Sequence, residues 1–373
     1  MSRTETAARP SETRGVAMTA ARVARVGSWV LRFALALFLF VGALQLMKTG
    51  AASLDVLQNQ GFLVKNAGST LGLGWIGALF VLSGSPIAAS ALTLVAADSI
   101  SEIQGFTMLT GSRLGAAFVV LVVAVIYALK GGSGERVKPV STAIIALSGT
   151  AIVYLPAALV GFALLNWGPF RSLEPRFPAQ FGDLIDLVYG GVLARVENLP
   201  AGVIFLGGLG VLLLAMKLID TVIPNLDDST VAGARMTWLQ RKWPMFALGC
   251  LVALITMSVS VALTVLVPLV AKGYAKRQNI LPYILGANIT TLGDTLLAAF
   301  ALNSGPAVRI VLAGVIASTV LSIILLAFLY PQLQRVVWSF QRQIMRSRPR
   351  LAAFTVALFL VPLVIMSVSA LFA

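Results

Sequence analysis

The chain alternates long apolar runs with short polar joints. Uninterrupted runs at about 28–47, 106–129, 140–165, 201–223, 282–302, 307–330 and 351–372 reach or approach the roughly 20 residues that cross a bilayer as a helix. Each predicts a spanning α-helix, because backbone polar groups in hydrocarbon need partners within their own segment. Two further apolar stretches are shorter and interrupted. One reads LGLGWIGALFVL, then SGSP, then IAASALTLVAA; the other reads MFALGCLVALITM, then SVS, then VALTVLVPLVA. Gly84 and Pro86 punctuate the first join. Such pieces predict broken or re-entrant segments, which survive at membrane depth only when buried in protein or lining a cavity. In the long 166–199 joint, FGDLIDLVYGGVL predicts an interfacial amphipathic helix.

The two interrupted stretches repeat in register. The interval from Ser83-Gly84-Ser85 to Gly111 equals the interval from Ser258-Val259-Ser260 to Gly286, so one constant shift in numbering carries the first set onto the second. The same shift lays Leu94-Val95-Ala96 on Leu269-Val270-Ala271. The expected fold is an all-α polytopic membrane protein of two repeats, 28–165 and 200–330, each with a Ser-x-Ser hairpin. A disordered polar tail (1–27), the 166–199 loop, a basic loop (331–350) and an extra C-terminal span (351–373) surround them.

Charge gives the expected orientation. The N-terminal tail, the 130–138 joint and the 331–350 stretch are basic, whereas 166–199 carries four acids against three bases. Basic joints face the cytoplasm. That puts the N-terminus inside, 166–199 outside and the C-terminus outside, in a plasma (inner) membrane. It works if the Ser-x-Ser segments enter and leave on one side, the first from outside and the second from inside. The halves are then inverted, an arrangement that in secondary transporters places the substrate site at paired interrupted segments.

Composition narrows the chemistry. Hydrophobic residues make up 58% and charged residues 11%, with mean hydropathy +0.92. The net charge of +14 suits anionic lipid rather than nucleic acid, since no basic-aromatic module stands outside the apolar runs. There is no histidine and one cysteine, Cys250. These counts exclude His-based proton relays, His-ligated metals, Ser-His-Asp catalysis and an internal disulfide. No nucleophile–base pair is visible, so an enzyme is not expected. The sequence sets no oligomeric state.

Polar residues inside the apolar runs are the candidate site. Ser83, Ser85, Ser258 and Ser260 sit at the breaks, where hydroxyls and freed backbone can bind an anion or Na⁺; the alternative is close helix packing. Asn288, Thr290 and Thr291 offer oxygens that a hard cation prefers, or they bond across helices. Asp294 needs a partner, a cation or a proton. It ligates Na⁺, carries a coupling H⁺ or pairs with Arg113; the alternative is a helix-end acid snorkelling to water. Arg113, after Ser112, either holds an oxyanion by parallel bonds in place of a bound Na⁺ or lies at the interface. Asp98, Glu102, Lys272, Lys276 and Arg277 read as ordinary loop charges.

These residues resemble the type II sodium/phosphate cotransporter family. That family repeats a Gln-Ser-Ser-Ser type motif followed by a GANIGTT-like motif. Here MSVS (257–260) and GANITT (286–291) stand in the second half, LSGS (82–85) and GSRLGA (111–116) in the first. The resemblance covers about 28–330. Leu82 and Met257 replace the family's glutamines, Gly84 and Val259 the middle serines, and Arg113 a small polar residue. The resemblance implies Na⁺-coupled symport of inorganic phosphate or a related oxyanion by alternating access. Ser83, Ser85, Ser112, Arg113, Ser258 and Ser260 then face the substrate, and Asn288, Thr290, Thr291 and Asp294 the cation. Na⁺ is the expected coupling ion, with H⁺ as the alternative, and no other cofactor is implied. The loss of both glutamines keeps open a lipid-phosphate flippase or a non-transporting relative.

Overall fold

The structure, a computed structural model, describes residues 10–52, 62–130, 137–173, 175, 179–222, 241–271 and 277–371. Among these residues every regular element is helical, and seven helical stretches are long and apolar enough to cross a membrane. The protein is therefore an all-α chain of the multi-pass membrane class. In chain order the helices of the first half are α1 (Pro10–Ala52), α2 (Ala67–Val81), α3 (Ser85–Ala96), α4 (Glu102–Ala116), α5 (Phe118–Lys130) and α6 (Val137–Asn166). The short α7 (Gly168–Arg171) and α8 (Ala179–Val196) follow. The second half has α9 (Ala201–Val222), α10 (Lys242–Thr256), α11 (Val259–Thr264), α12 (Leu266–Ala271), α13 (Ile280–Thr290), α14 (Gly293–Ala301) and α15 (Gly305–Ala327). The chain closes with α16 (Tyr330–Met345) and α17 (Arg348–Leu371).

Both interrupted stretches break at equivalent residues. Helix α2 ends at Leu82 (φ 55°, ψ 24°) and α10 at Met257 (φ 46°, ψ 28°), both in the left-handed region. The shift in numbering that relates the Ser-x-Ser motifs also relates these two residues. A side chain there costs roughly 1–2 kcal/mol, so surrounding packing must hold each break. Pro86 falls in the first turn of α3, where its missing N–H leaves no bond unmade.

The sequence predicts one span at 106–129 and one at 282–302, and each is divided. Helix α4 gives way to α5 at Ala117, and α13 to α14 at Thr291-Leu292; Ala117 and Leu292 are again equivalent positions. Ser112 Oγ donates to Leu109 O at 2.7 Å, and Thr291 Oγ1 to Asn288 O at 3.3 Å, just before each join. The next turns tighten, with Val120 N bonding Ala117 O and Leu292 N bonding Ile289 O.

Glycines set the packing of the paired helices. A Cβ on Gly74 would collide with Met108 O, and one on Gly249 with Tyr283 O. Likewise a Cβ on Gly111 would collide with Leu71 O, and one on Gly286 with Phe246 O. In each comparison the glycines are equivalent, and so are the carbonyls they meet. Helix α2 thus crosses α4 as α10 crosses α13, backbone on backbone, the approach that small residues permit in membranes.

Polar bonds gather at two ends of the bundle. At one end Ser99 Oγ donates to Ala51 O (2.9 Å), Gln104 Nε2 to Val64 O (2.5 Å) and Lys65 Nζ to Ala370 O (3.0 Å). Arg309 also pairs there with Glu102 and donates to Leu173 O at 2.8 Å. At the other end Lys242 Nζ donates to Leu326 O (3.0 Å) and Tyr330 OH to Gln278 O (2.6 Å). Glu102, read as a loop charge, instead clamps α4 to α15. Helix α1 begins at Pro10, within the stretch expected as a disordered tail, and 330–345 is a helix where a loop was expected. Helix α8 covers the expected amphipathic segment.

Candidate functional site

Arg113 lies in the last turn of α4 and Asp294 in the first turn of α14. Each position suits its charge: the C-terminal end of a helix favours a cation and the N-terminal end an anion. Arg113 is 0% exposed. Its Nη2 lies 3.4 Å from Asp294 Oδ1 and also donates to Thr295 Oγ1. Thr295 in turn donates to Asp294 Oδ1 from its hydroxyl (2.8 Å) and its backbone N (2.5 Å). Of the three readings of Asp294, the structure shows the pairing with Arg113.

That pair is not saturated. Arg113 Nε and Nη1, and Asp294 Oδ2, are buried with no hydrogen-bond partner among the described residues. A buried polar group without a partner costs about 1–3 kcal/mol, more if charged. The interfacial reading of Arg113 is excluded by its burial. Two guanidinium nitrogens remain able to donate, and one carboxylate oxygen remains able to accept or bind a cation.

Arg113 and Asn288 hold equivalent positions in the two halves, and both are fully buried. Asn288 meets Thr150 on α6, with Nδ2 3.4 Å from Thr150 Oγ1. Its backbone carbonyl accepts from Tyr154 OH at 2.5 Å. Thr150 and Tyr154 stand one helical turn apart on one face of α6, and Tyr154 clusters with Trp75, Leu79 and Leu114 beside Arg113. Thr150, Tyr154 and Thr295 were missed in the sequence. The i, i+4 polar spacing within an apolar run was the available signal for the first two, and adjacency to Asp294 for the third.

The two breaks also meet. Ser260 Oγ donates to Leu82 O at 3.1 Å, joining the second break to the first. Gly84 packs against α4, where an added Cβ would lie 2.8 Å from Ser112 O. The first break therefore packs on the residue that precedes Arg113. Ser85 is buried, and neither Ser83 nor Ser85 has a side-chain hydrogen-bond partner among the described residues.

Other candidates bond locally. Ser258 Oγ caps α11 by accepting from Val261 N at 3.3 Å, and Thr290 Oγ1 donates to Cys250 O at 2.7 Å. Ser112 and Thr291 bond back to their own helices. Of the residues expected to bind a cation, only Asp294 presents a buried side-chain oxygen without a partner among the described residues. Among the described residues no cluster of acids and Cys has a metal-site arrangement. Lys272 and Lys276 lie outside the described residues.

Comparison with known proteins gives no match to any family model, curated protein or solved structure.

Proposed function

We propose that this chain is a secondary active transporter that carries inorganic phosphate or a related small oxyanion, coupled to Na⁺ or H⁺, by alternating access. The carrying observation is the buried Arg113–Asp294 pair, with two guanidinium nitrogens and one carboxylate oxygen left unpartnered. A buried arginine with spare donors suits an oxyanion, and a carboxylate with a spare oxygen suits a coupling cation.

The halves are read as inverted repeats with re-entrant hairpins. Supporting this, Ala51, Val64, Ser99 and Gln104 share one end, so α2–α3 starts and finishes together. Residues Lys242 and Gln278 flank α10–α12 near Leu326 and Tyr330 at the other end. With the N-terminus cytoplasmic, α17 ends outside, beside Lys65. The membrane is taken to be the inner membrane. The breaks at Leu82 and Met257, bound through Ser260, are the elements that would part as access alternates.

Uptake of radiolabelled phosphate into proteoliposomes tests the reading, with an inward Na⁺ gradient and with K⁺ in its place. Wild-type uptake that Arg113→Gln abolishes is expected. Unchanged uptake in that variant, or none in wild type under either cation, overturns it. A second reading, movement of a lipid-linked phosphate, draws on an apolar groove of about 250 Å³. Phe33 and Leu37 of α1, Met216 of α9 and Phe300 of α14 line it, and it reaches Asp294. Activity on lipid-linked phosphate alone would select that reading.

A further inference from the structure

Helix α16 lies between two spanning helices and presents three strips. Leu333, Val337, Gln341 and Ile344 recur at spacings of four, four and three, and are buried against the protein. Val336 and Phe340, one turn apart, are exposed, at 59% and 43%. Phe340 also meets Phe354 of α17 edge-on, with centroids 5.9 Å apart. Arg335, Arg342 and Arg346 are exposed and recur at spacings of seven and four along another strip. Arg348 and Arg350 continue the basic surface into α17, also exposed.

No acid answers these arginines nearby in sequence. Asp294 is the last acidic residue in the chain, so 295–373 carries none. Among the described residues the ion pairs are Arg113–Asp294 and Arg309–Glu102, and neither involves this helix. Among the described residues no acid pairs with the strip, which keeps its positive charge available to an anion.

An apolar strip beside a basic strip defines the geometry of that anion. A helix with one docked face can lie in the membrane interface with Val336 and Phe340 toward acyl chains and the arginines toward headgroups. Free phosphate would use the arginines and leave the apolar strip in water. A phospholipid uses both.

We infer that α16 is a binding site for anionic phospholipid, with Arg335, Arg342 and Arg346 on the phosphodiester and glycerol headgroups and Val336 and Phe340 on the chains. This holds for whichever solute the core carries. Each arginine near an anionic surface contributes about 1 kcal/mol, so removing three lowers retention on the order of a hundredfold.

The test uses the full chain purified in detergent, with phosphatidylglycerol or phosphatidylcholine added and retained lipid counted by native mass spectrometry. Phosphatidylglycerol should be retained at least about tenfold over phosphatidylcholine. The R335Q/R342Q/R346Q variant should lose that preference, and R335K/R342K/R346K should keep it. Should the glutamine variant fail to fold, wild type in about 1 M salt, where the Debye length is about 3 Å, should lose the preference instead. Equal retention of the two lipids by wild type overturns the inference. So does a preference that the folded glutamine variant keeps, one that survives the salt, or displacement of the lipid by millimolar inorganic phosphate.

Discussion

Arg113 reaches Asp294 across the two halves of the chain, Nη2 to Oδ1 at 3.4 Å, from the end of one divided span to the start of the second piece of the other. The contact is asymmetric. The residue equivalent to Arg113 is Asn288, and the one equivalent to Asp294 is Val119, so only one of two possible cross-pairs exists. Positions related by the shift in numbering thus share their place in the sequence pattern but not their charge.

Breaking that centre on one side should cost more than removing it. Arg113→Gln or Asp294→Asn leaves one buried charge uncompensated, and each should lower stability by about 3–5 kcal/mol. The double change Arg113→Met with Asp294→Leu should recover most of that loss, because well-packed apolar replacements of buried ion pairs are often neutral or stabilising. Thermal unfolding of the four proteins in detergent checks this. A double variant as unstable as the sum of the singles would show that the pair is not the coupled unit.

The helix crossings should respond in parallel. Gly74→Ala and Gly249→Ala each push a methyl into a backbone carbonyl that cannot move aside. Each should destabilise by about 3 kcal/mol, the upper end of the overpacking range. Gly207→Ala and Gly210→Ala, with nothing within 4 Å, should be neutral or slightly stabilising, since alanine favours helix. Unfolding temperatures of the four variants separate the cases.

Ser260→Ala should uncouple the two breaks. The lost bond to Leu82 O is worth about 1 kcal/mol or less, so global stability changes little. Amide exchange should rise at 82–85 as well as at 257–260. An increase confined to the second break would mean that the Ser260 bond does not couple them.

Tyr330 makes the attachment of α16 sensitive to high pH. Burial raises its phenol to about 12 from an ordinary 10, and the hydrogen bond from Gln334 offsets part of that rise. The folded state resists ionisation, so the contribution is complete below pH 10 and is lost as pH climbs from about 10 to about 12. The wild type should lose thermal stability over that window more steeply than Tyr330→Phe. Parallel curves would remove Tyr330 as the cause.

The sequence by itself determined the membrane class and the spans, because hydrocarbon admits only segments that satisfy their own backbone. It also marked the two breaks, through Ser-x-Ser at matched positions with Gly84 and Pro86 punctuating the first, and the constant shift in numbering that links them. Tertiary structure decided the rest. Which reading of Asp294 holds depended on Arg113 arriving from the other half of the chain. Thr150 and Tyr154 joined the site only because α6 lies against α13. The divisions at Ala117 and Leu292 lie in apolar runs whose hydropathy does not record them. The helix at 330–345 looked like a basic loop because its charge is plain in the sequence. Its buried strip has meaning only against the helices that cover it.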